Sequence, residues 1–177
     1  MNHQIHIQPY SSPCGELLLG SLGDKLCLCD WADNPKLPAA RRRMEQAFPG
    51  AEQVAAPSPV TELAAQELSE YFAGKRRAFS VPLLPVGTEF QKAVWRALLR
   101  SIPYGKTLSY AAFAQIATGR PEAARAVAAA VGANHISIIV PCHRVVGRSG
   151  KLTGYAGGLE AKQFLLQLEA AVSSAAT

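Results

Sequence analysis

Residues 109–131 read SYAAFAQIATGRPEAARAVAAAV. Ser109 suits the N-cap of a short helix, and Gly119 suits the position just after its end. Pro121 suits the first turn of a second helix, which we expect to reach Val131 and which is almost entirely alanine. Helix, glycine turn, helix is the outline of a helix-turn-helix, although any helical hairpin has the same outline. This stretch therefore predicts that the second half of the chain is mostly helical.

The segments on either side of this stretch also favour helices. Thr88-Glu89-Phe90-Gln91 is a capping box, which predicts a helix that ends near Pro103 and Gly105. A last amphipathic helix is predicted from Leu159 to about Val172. Its predicted buried residues are Phe164, Leu165 and Leu168.

The first half of the chain has a different pattern. Short apolar runs within Gly15–Trp31, separated by a glycine-containing turn, predict a β-hairpin. Two helices are expected to follow, one over Ala39–Ala47 and one that Thr61 opens and Gly74 closes. The proline-containing stretch Lys75–Gly87 has no helical period and is the predicted linker. We therefore predict an α+β protein with an N-terminal mixed α/β domain over residues 1–86 and a helical domain over residues 87–177.

Composition limits the classes of protein that fit. The chain has 177 residues and 49% hydrophobic content, enough to bury a core. It has no apolar run long enough to cross a bilayer, and Met1–Tyr10 lacks the pattern of an export signal, so we expect a soluble cytoplasmic protein with no membrane partner. The formal charge of +5 suits a polyanionic partner but does not distinguish one from many ordinary enzymes. The cysteines are expected to be thiols at Cys14, Cys27, Cys29 and Cys142.

One cysteine has neighbours that indicate chemistry. The run Ile136–Val140 predicts a buried strand, and Cys142, His143 and Arg144 follow it. A thiol there is expected to be inert, a small core residue, unless a neighbouring group takes its proton. A histidine and an arginine are costly to place at the end of a core strand without a purpose. Since adjacent residues seldom make direct side-chain contact, we expect a water molecule to link His143 to the thiol and a carboxylate to hold the other imidazole nitrogen.

Residues 139–145, IVPCHRV, resemble the active-site motif of the methylated-DNA–protein-cysteine methyltransferases, also called O6-alkylguanine-DNA alkyltransferases. The resemblance covers essentially all of the second half, and in the first half it includes Ser12–Gly15 and Glu70–Gly74. The other matching segments are Gly87–Gln91, Val94–Trp95, Ile102–Gly105, Ser109–Tyr110, Arg120–Pro121, Ala123–Val127, Asn134 and Gly154–Gly158.

This resemblance implies a fold and an activity. The fold would be a ribonuclease-H-like N-terminal domain followed by a winged helix-turn-helix-like domain that binds DNA and carries the active site. The activity would be DNA repair, in which an alkyl group passes from O6-alkylguanine, and also from O4-alkylthymine, in double-stranded DNA to Cys142. The reaction would use each protein molecule once and would need no cofactor or metal. A monomer that stands alone, without a fused regulatory module, is expected.

The resemblance also assigns roles to single residues. Cys142 would be the alkyl acceptor, His143 the water-linked base and Glu169 the carboxylate that orients the imidazole. Asn134 would brace the turn that leads to the active site, although an asparagine here also suits a helix C-cap. Tyr110 would protonate the departing guanine, and its ordinary alternative is a half-buried aromatic residue whose hydroxyl has a partner.

Further matched positions would contact DNA or enclose the base. The alanine-rich helix would enter the minor groove, which is only about 6 Å wide, with Tyr110 also at the DNA. Arg125 would fill the space left by a rotated nucleotide, with a surface ion pair to Glu122 as its alternative. The small residues expected at the groove walls are Ala123, Ala124, Ala126, Val127, Ala128 and Ala130. The loop expected to wall the alkyl pocket, otherwise a simple turn, consists of Tyr155, Ala156, Gly157 and Gly158.

The sequence departs from the family pattern at His135, where many relatives carry proline, so the turn after Asn134 is expected to be less rigid. Some members bind zinc in the first domain, but no tetrahedral ligand set emerges here. Cys27 and Cys29 are expected to point the same way along one strand, and the histidines near them in sequence, His3 and His6, belong to a terminus expected to fray.

Two other classes of protein are alternatives to an alkyl-transferring enzyme. A non-catalytic relative that senses alkylated DNA would lack the acceptor cysteine, whereas Cys142 is present. A cysteine hydrolase would need a distant histidine and an oxyanion hole, and it would leave the alanine-rich helix unexplained.

Overall fold

The computed structural model describes residues 3–175 of the chain. The predicted ranges 1–86 and 87–177 include residues 1–2 and 176–177, which lie outside the described part. The helices and strands follow in the order β1 (Gln4–Ser12), β2 (Gly15–Leu22), β3 (Lys25–Trp31), α1 (Leu37–Ala47), β4 (Glu52–Val54), α2 (Pro59–Phe72), α3 (Glu89–Ser101), β5 (Leu108–Ser109), α4 (Tyr110–Thr118), α5 (Ala124–Gly132), β6 (Val145–Val146) and α6 (Leu159–Ala175).

A four-stranded sheet with the order β3-β2-β1-β4 forms the first half of the molecule. The predicted hairpin is confirmed, because β2 and β3 pair antiparallel with Leu17 opposite Trp31. The expectation of a frayed terminus is wrong over the described residues. β1 pairs with both β2 and β4, and Ile5 is fully buried. Its alternating apolar residues give it a buried face, which holds the strand in the sheet.

Both predicted helices of the first half are present, and their starts differ from the prediction. α1 begins at Leu37, two residues earlier than expected. In α2 the cap is Ser58, whose hydroxyl accepts from the backbone N–H of Thr61, while the Thr61 hydroxyl accepts from the backbone N–H of Ser58. Thr61 therefore lies inside the helix as the partner of its cap. Gly74, with φ of +74°, follows the end of α2, as predicted.

The predicted linker is not a free connection. The backbone of Leu26 in β3 donates to the carbonyl of Pro82 at 2.8 Å and accepts from Leu84 at 2.7 Å. The buried carboxylate of Glu67 accepts from the backbone N–H groups of Ser80 and Val81. One hydrophobic core includes residues from β2, β3, α2, α3, α5 and α6, so the two halves pack against each other. The division after residue 86 stays a prediction.

The helical second half begins as predicted. Thr88 and Gln91 form the reciprocal capping box of α3, and Ser109 caps α4 by accepting from Ala112 at 3.1 Å. α4 ends at Gly119, which has φ of +74° and thus the left-handed conformation that glycine favours. The expected single helix from Pro121 to Val131 is wrong in detail, since a 3-10 turn over Pro121–Ala123 precedes α5.

The predicted strand Ile136–Val140 is wrong. Ile136 makes one isolated parallel bridge with Cys29, and Ile138 has φ of +71°, which a strand does not allow. The segment is a buried turn, closed by a hydrogen bond from Val140 N to the Ile136 carbonyl. A short run of β-branched residues shows burial, but it does not distinguish a strand from a turn enclosed by other elements. Cys142 consequently begins a 3-10 helix, Cys142–Arg144.

The last helix, α6, has a partly different buried side from the one predicted. Leu165 is buried and Leu168 is half-buried, as expected, but Phe164 is 37% exposed. Two polar residues, Lys162 and Glu169, are buried instead. No helix within residues 3–175 is long and apolar enough to cross a membrane.

Candidate active site

Cys142 lines a cavity of about 370 Å³ and is only 6% exposed. Burial raises the pKa of this thiol to about 11, against smaller lowering effects of the Asn134 amide and the Lys162 ammonium. The thiol is therefore protonated at neutral pH unless a base removes its proton. The other residues that line the cavity are Asn34, Pro35, Lys36, Tyr110, Ala128, Val131, Gly132, Asn134, Gly154, Tyr155 and Ala156.

His143, which follows this thiol in sequence, forms a buried pair with Glu169 of α6. The distance from His143 Nε2 to Glu169 Oε2 is 2.6 Å. Burial lowers the pKa of His143, and the Glu169 carboxylate opposes that shift. Although burial alone would raise it, hydrogen bonds and charge from His143 and Arg144 hold the pKa of Glu169 well below its usual range. An ionised Glu169 accepts a hydrogen bond from the Nε2–H group of His143. The other nitrogen of the neutral ring, Nδ1, therefore carries no proton and is a hydrogen-bond acceptor. Within residues 3–175, Nδ1 has no hydrogen-bond partner.

Glu169 is the centre of a larger buried network. Arg144 donates to it through Nε at 2.8 Å and through Nη2 at 3.2 Å. The hydroxyl of Tyr71, from α2, donates to Oε2 at 2.6 Å, and the backbone N–H of Gly105 donates to Oε1 at 3.2 Å. Arg144 also donates to the carbonyl of Ile102 at 2.8 Å. The carboxylate thus joins α2, α6, the loop after α3 and the 3-10 helix of Cys142.

Asn134 spans the buried turn before Cys142. Its amide nitrogen donates to the carbonyl of Val140 at 3.0 Å, and its amide oxygen accepts from the backbone N–H of Ile136 at 2.9 Å. These two bonds connect both ends of the turn. The backbone of Cys29 in β3 holds the same segment from outside, donating to His135 at 2.9 Å and accepting from Ser137 at 2.7 Å. The side chain of Asn134 therefore does more than cap α5.

Tyr110 and the loop before α6 form other walls of the cavity. Tyr110 is half-buried at the start of α4, and burial raises its pKa, so its hydroxyl remains a proton donor. Of the predicted loop residues, Tyr155 and Ala156 line the cavity, but Gly157 and Gly158 do not. Gly157 packs against the Trp31 ring so closely that a Cβ would overlap it. Gly157 therefore positions the wall, and neither Gly157 nor Gly158 is part of the cavity lining, a correction to the predicted pocket loop.

The outward face of α5 carries Arg125 and Ala126, which are both exposed. The half-buried residues Ala123 and Ala124 lie at its start. Val127 and Ala130, expected at the groove walls, are wrong assignments, because both side chains are buried in the core. The alternative for Arg125, an ion pair with Glu122, is absent from this part of the described chain, where Glu122 instead pairs with Arg120 at 3.2 Å.

Some functional positions were missed by sequence reasoning. Asn34, Pro35 and Lys36, in the loop before α1, bring the first half of the chain to the cavity. No local pattern marks this loop, because its place depends on tertiary packing. Lys162 is fully buried and donates to the Thr153 carbonyl at 2.8 Å, which ties α6 to the pocket loop. A lysine on the apolar side of the predicted last helix was the available signal.

His135 occupies a buried position beside the turn. Its Nε2 accepts from the backbone N–H of Val86 at 3.3 Å, and its ring meets the Trp95 ring edge-on at 5.3 Å between centroids. Burial lowers the pKa of His135 to about 4. These contacts fix the position of the His135 side chain beside the turn, and the lower rigidity of the turn stays a prediction.

The possible zinc ligands of the first half do not converge. Cys27 and Cys29 pack into different hydrophobic clusters, contrary to the expected common orientation. Among residues 3–175, no three or more histidine, cysteine, aspartate and glutamate side chains are grouped to hold a metal ion. All four cysteines of the chain are free thiols.

Comparisons with known proteins place this site in a family. Two family models match: "6-O-methylguanine DNA methyltransferase, ribonuclease-like domain" over residues 5–85, and the "DNA binding domain" of the same description over residues 89–171. A methylated-DNA–protein-cysteine methyltransferase of Mycobacterium tuberculosis is 45% identical over 166 residues, which cover 93% of this chain and 92% of the relative. One from Methanosarcina acetivorans is 57% identical over 106 residues, 60% of this chain and 67% of that relative.

Solved structures agree with these matches. The crystal structure of Mycobacterium tuberculosis O6-methylguanine methyltransferase has a TM-score of 0.78 and 42% identity, and it covers 94% of this chain and 93% of its own. The crystal structure of Mycobacterium tuberculosis OGT in complex with DNA gives the same TM-score and identity, with 94% of each chain covered. The predicted fold class is thereby confirmed. This chain belongs to the 6-O-methylguanine DNA methyltransferase family.

Proposed function

We propose that this protein repairs alkylated DNA by transferring the alkyl group of O6-alkylguanine to Cys142, once per protein molecule. O4-alkylthymine is proposed as a second substrate. The observation that carries the proposal is a thiol in the wall of a cavity, followed directly in sequence by a buried histidine that is paired with the buried carboxylate of Glu169. Membership in the family supports the same activity.

The first step is removal of the thiol proton. The pKa of Cys142 is raised to about 11, so less than about one thiol in a thousand would ionise unaided at pH 7. His143 Nδ1 is the available acceptor, and we assign it the thiol proton through one water molecule. Glu169 then stabilises the imidazolium through its 2.6 Å contact with Nε2. The charge of the Lys162 ammonium also favours the thiolate.

The second step is displacement at the alkyl carbon. The Cys142 sulfur forms a bond to that carbon, and the bond from carbon to O6 breaks, with its electron pair moving into the guanine. Guanine would leave as an anion unless it received a proton, and we propose Tyr110, which lines the cavity, as the donor. Tyr110 recovers its proton from solvent or from His143. No cofactor enters this balance, because the substrate supplies the alkyl group and Cys142 keeps it.

We propose that double-stranded DNA containing an alkylated base is the partner and that α5 lies along its minor groove. The exposed face of α5 carries Arg125 and a small side chain, Ala126, which fits a narrow groove. Arg125 would fill the space left when the damaged nucleotide rotates into the cavity. A net charge of +5 favours the phosphate backbone.

The remaining assignments are also proposals. The chain is expected to act as a monomer, because one copy supplies every residue of the site described above. Cytoplasmic location accords with four cysteines that are all free thiols. Residues 1–86 and 87–177 are proposed as the two domains, although they share one core.

The two alternatives fit less well. A non-catalytic sensor of alkylated DNA needs neither an acceptor thiol nor a buried base next to it. This chain carries the thiol at Cys142 and the buried histidine at His143. A cysteine hydrolase forms a thioester, which water can attack, and it needs an oxyanion hole. The exposed face of α5 would have no purpose in that reaction.

The test is a titration of repair. A fixed amount of duplex containing O6-methylguanine is mixed with increasing protein, and restored DNA is counted. We expect one DNA molecule restored per protein molecule, no further turnover on longer incubation, and no repair by Cys142→Ser. Restoration of many DNA molecules per protein would rule out transfer to the protein itself.

A further inference from the structure

Tyr71 belongs to the first half of the chain, yet its hydroxyl reaches the catalytic network. It lies on α2, is fully buried, and donates to Glu169 Oε2 at 2.6 Å. His143 Nε2 lies at the same distance from the same oxygen. One oxygen of the carboxylate is therefore shared between the proposed base and a phenol that arrives from another part of the fold.

The Glu169 carboxylate already accepts as many hydrogen bonds as its oxygens allow. A carboxylate offers about four lone-pair directions. Glu169 has five donors around it: Tyr71, His143, two nitrogens of Arg144 and the backbone of Gly105. Donors to one oxygen compete for its charge, so a strong bond from Tyr71 weakens the support that Oε2 gives to His143.

We propose that Tyr71 is a positioning residue for alkyl transfer, which holds the Glu169 carboxylate in place and sets how strongly it supports the charged form of His143. This inference rests on the proposed function and adds a role for the first half of the chain in the proton transfer. Tyr71 touches neither the thiol nor the cavity, so it acts through Glu169 alone.

The ring of Tyr71 is fixed independently of its hydroxyl. It meets the rings of Phe72, Phe79 and Tyr104 with centroid distances of 5.3, 5.6 and 6.1 Å. These contacts determine where the hydroxyl points, so the Phe variant keeps the packing and removes only the donor. Burial and the charge of Glu169 raise the pKa of Tyr71 far above its usual range, which keeps it a neutral donor.

The charged and titratable groups around this pair come from α6, the 3-10 helix of Cys142 and the two loops that carry Tyr104 and Tyr155. Glu169, Arg144 and Tyr104 face the Tyr71 hydroxyl, and Tyr155 interacts with Tyr71 electrostatically. Glu169, Arg144 and Lys162 face His143. None of them is altered by Tyr71→Phe, so a change in the titration of His143 reports the loss of the hydroxyl.

The experiment is the pH dependence of alkyl transfer at saturating duplex that contains O6-methylguanine. In Tyr71→Phe, the Glu169 charge acts more fully on His143, and the acid-side midpoint of the rate should move up by about one pH unit. The DNA concentration that gives half the maximal rate should stay the same. A difluorotyrosine at position 71, a stronger donor, should move the midpoint in the opposite direction.

Tyr10→Phe is the matched control. The Tyr10 hydroxyl bonds at 3.0 Å to Ser69, which lies on the same helix as Tyr71, and it makes no bond to Glu169. Its pH profile should equal that of the wild type. If the wild type alkylates Cys142 while the Tyr71→Phe and difluorotyrosine proteins share its midpoint, Tyr71 has only a packing role and the inference is wrong. If the wild type does not alkylate Cys142 at any pH, the proposed function fails, and the inference with it.

Discussion

Replacing Glu169 by glutamine tests the buried network most severely. Arg144 is only 7% exposed, and Glu169→Gln leaves its guanidinium without a counter-charge. Breaking a buried ion pair by removing one partner costs about 3–5 kcal/mol. At about 2–4 °C per kcal/mol for a protein of this size, the melting temperature should fall by about 6–20 °C. If the amide nitrogen of the glutamine takes the place of Oε2, it cannot accept the hydrogen bonds that His143 and Tyr71 donate to that oxygen.

The assay combines urea unfolding with single-turnover alkyl transfer at a temperature where the variant is folded. We expect both lower stability and a slower reaction at neutral pH, because the His143 imidazolium loses its support. Glu67→Gln is the control, since Glu67 is an equally buried carboxylate whose ionic partner, Arg76, is partly exposed and can be hydrated. It should lower stability by about 1–3 kcal/mol and leave the alkyl-transfer rate unchanged. A loss below about 1 kcal/mol with a normal rate in Glu169→Gln would refute the account of this network.

Three other predictions concern single residues. Arg125→Ala should slow repair of duplex DNA at least tenfold more than attack on free O6-methylguanine, and equal losses on both substrates would remove its proposed role in base rotation. His143→Gln should react slowly at pH 7, but its deficit should shrink as the pH rises toward the Cys142 pKa of about 11; rate profiles that run parallel for wild type and variant would contradict the base. For His135 the folded pKa of about 4 lies below the ordinary 6.5, so stability from the neutral ring is present above pH 6.5 and is lost as pH falls toward 4. The unfolding free energy should therefore decrease between pH 7 and pH 4 by about 3 kcal/mol less in His135→Phe than in the wild type. Asp30, whose raised pKa acts in the opposite direction, is present in both proteins and does not affect this difference.

The features predicted well from the sequence depend on local chemistry. Thr88 with Gln91, Ser109 and Gly119 form or end helices through bonds and dihedral angles within a few residues. The neighbours of Cys142 were likewise readable, because they are adjacent in sequence. In each case the partner lies within the window that a motif covers.

The features missed depend on contacts between distant parts of the chain. Ile136–Val140 is a turn because Asn134 and the backbone of β3 hold it, and a run of apolar residues does not reveal either contact. Tyr71 and Lys36 reach the site only after the two halves pack together. Lys162 was hidden for a different reason, since a lysine is rarely buried and its stem resembles an apolar residue at that position.

The central claim is that Cys142 keeps the alkyl group. The most direct measurement is peptide mass spectrometry of the protein after incubation with duplex DNA containing O6-methylguanine. A thioether carbon offers no carbonyl for water to attack, so the modification should be permanent. We expect a gain of one methylene unit on the peptide that contains Cys142, in equal molar amount to the restored DNA. Unmodified Cys142 beside repaired DNA, or an alkyl group on Cys14, Cys27 or Cys29 instead, would contradict the central claim.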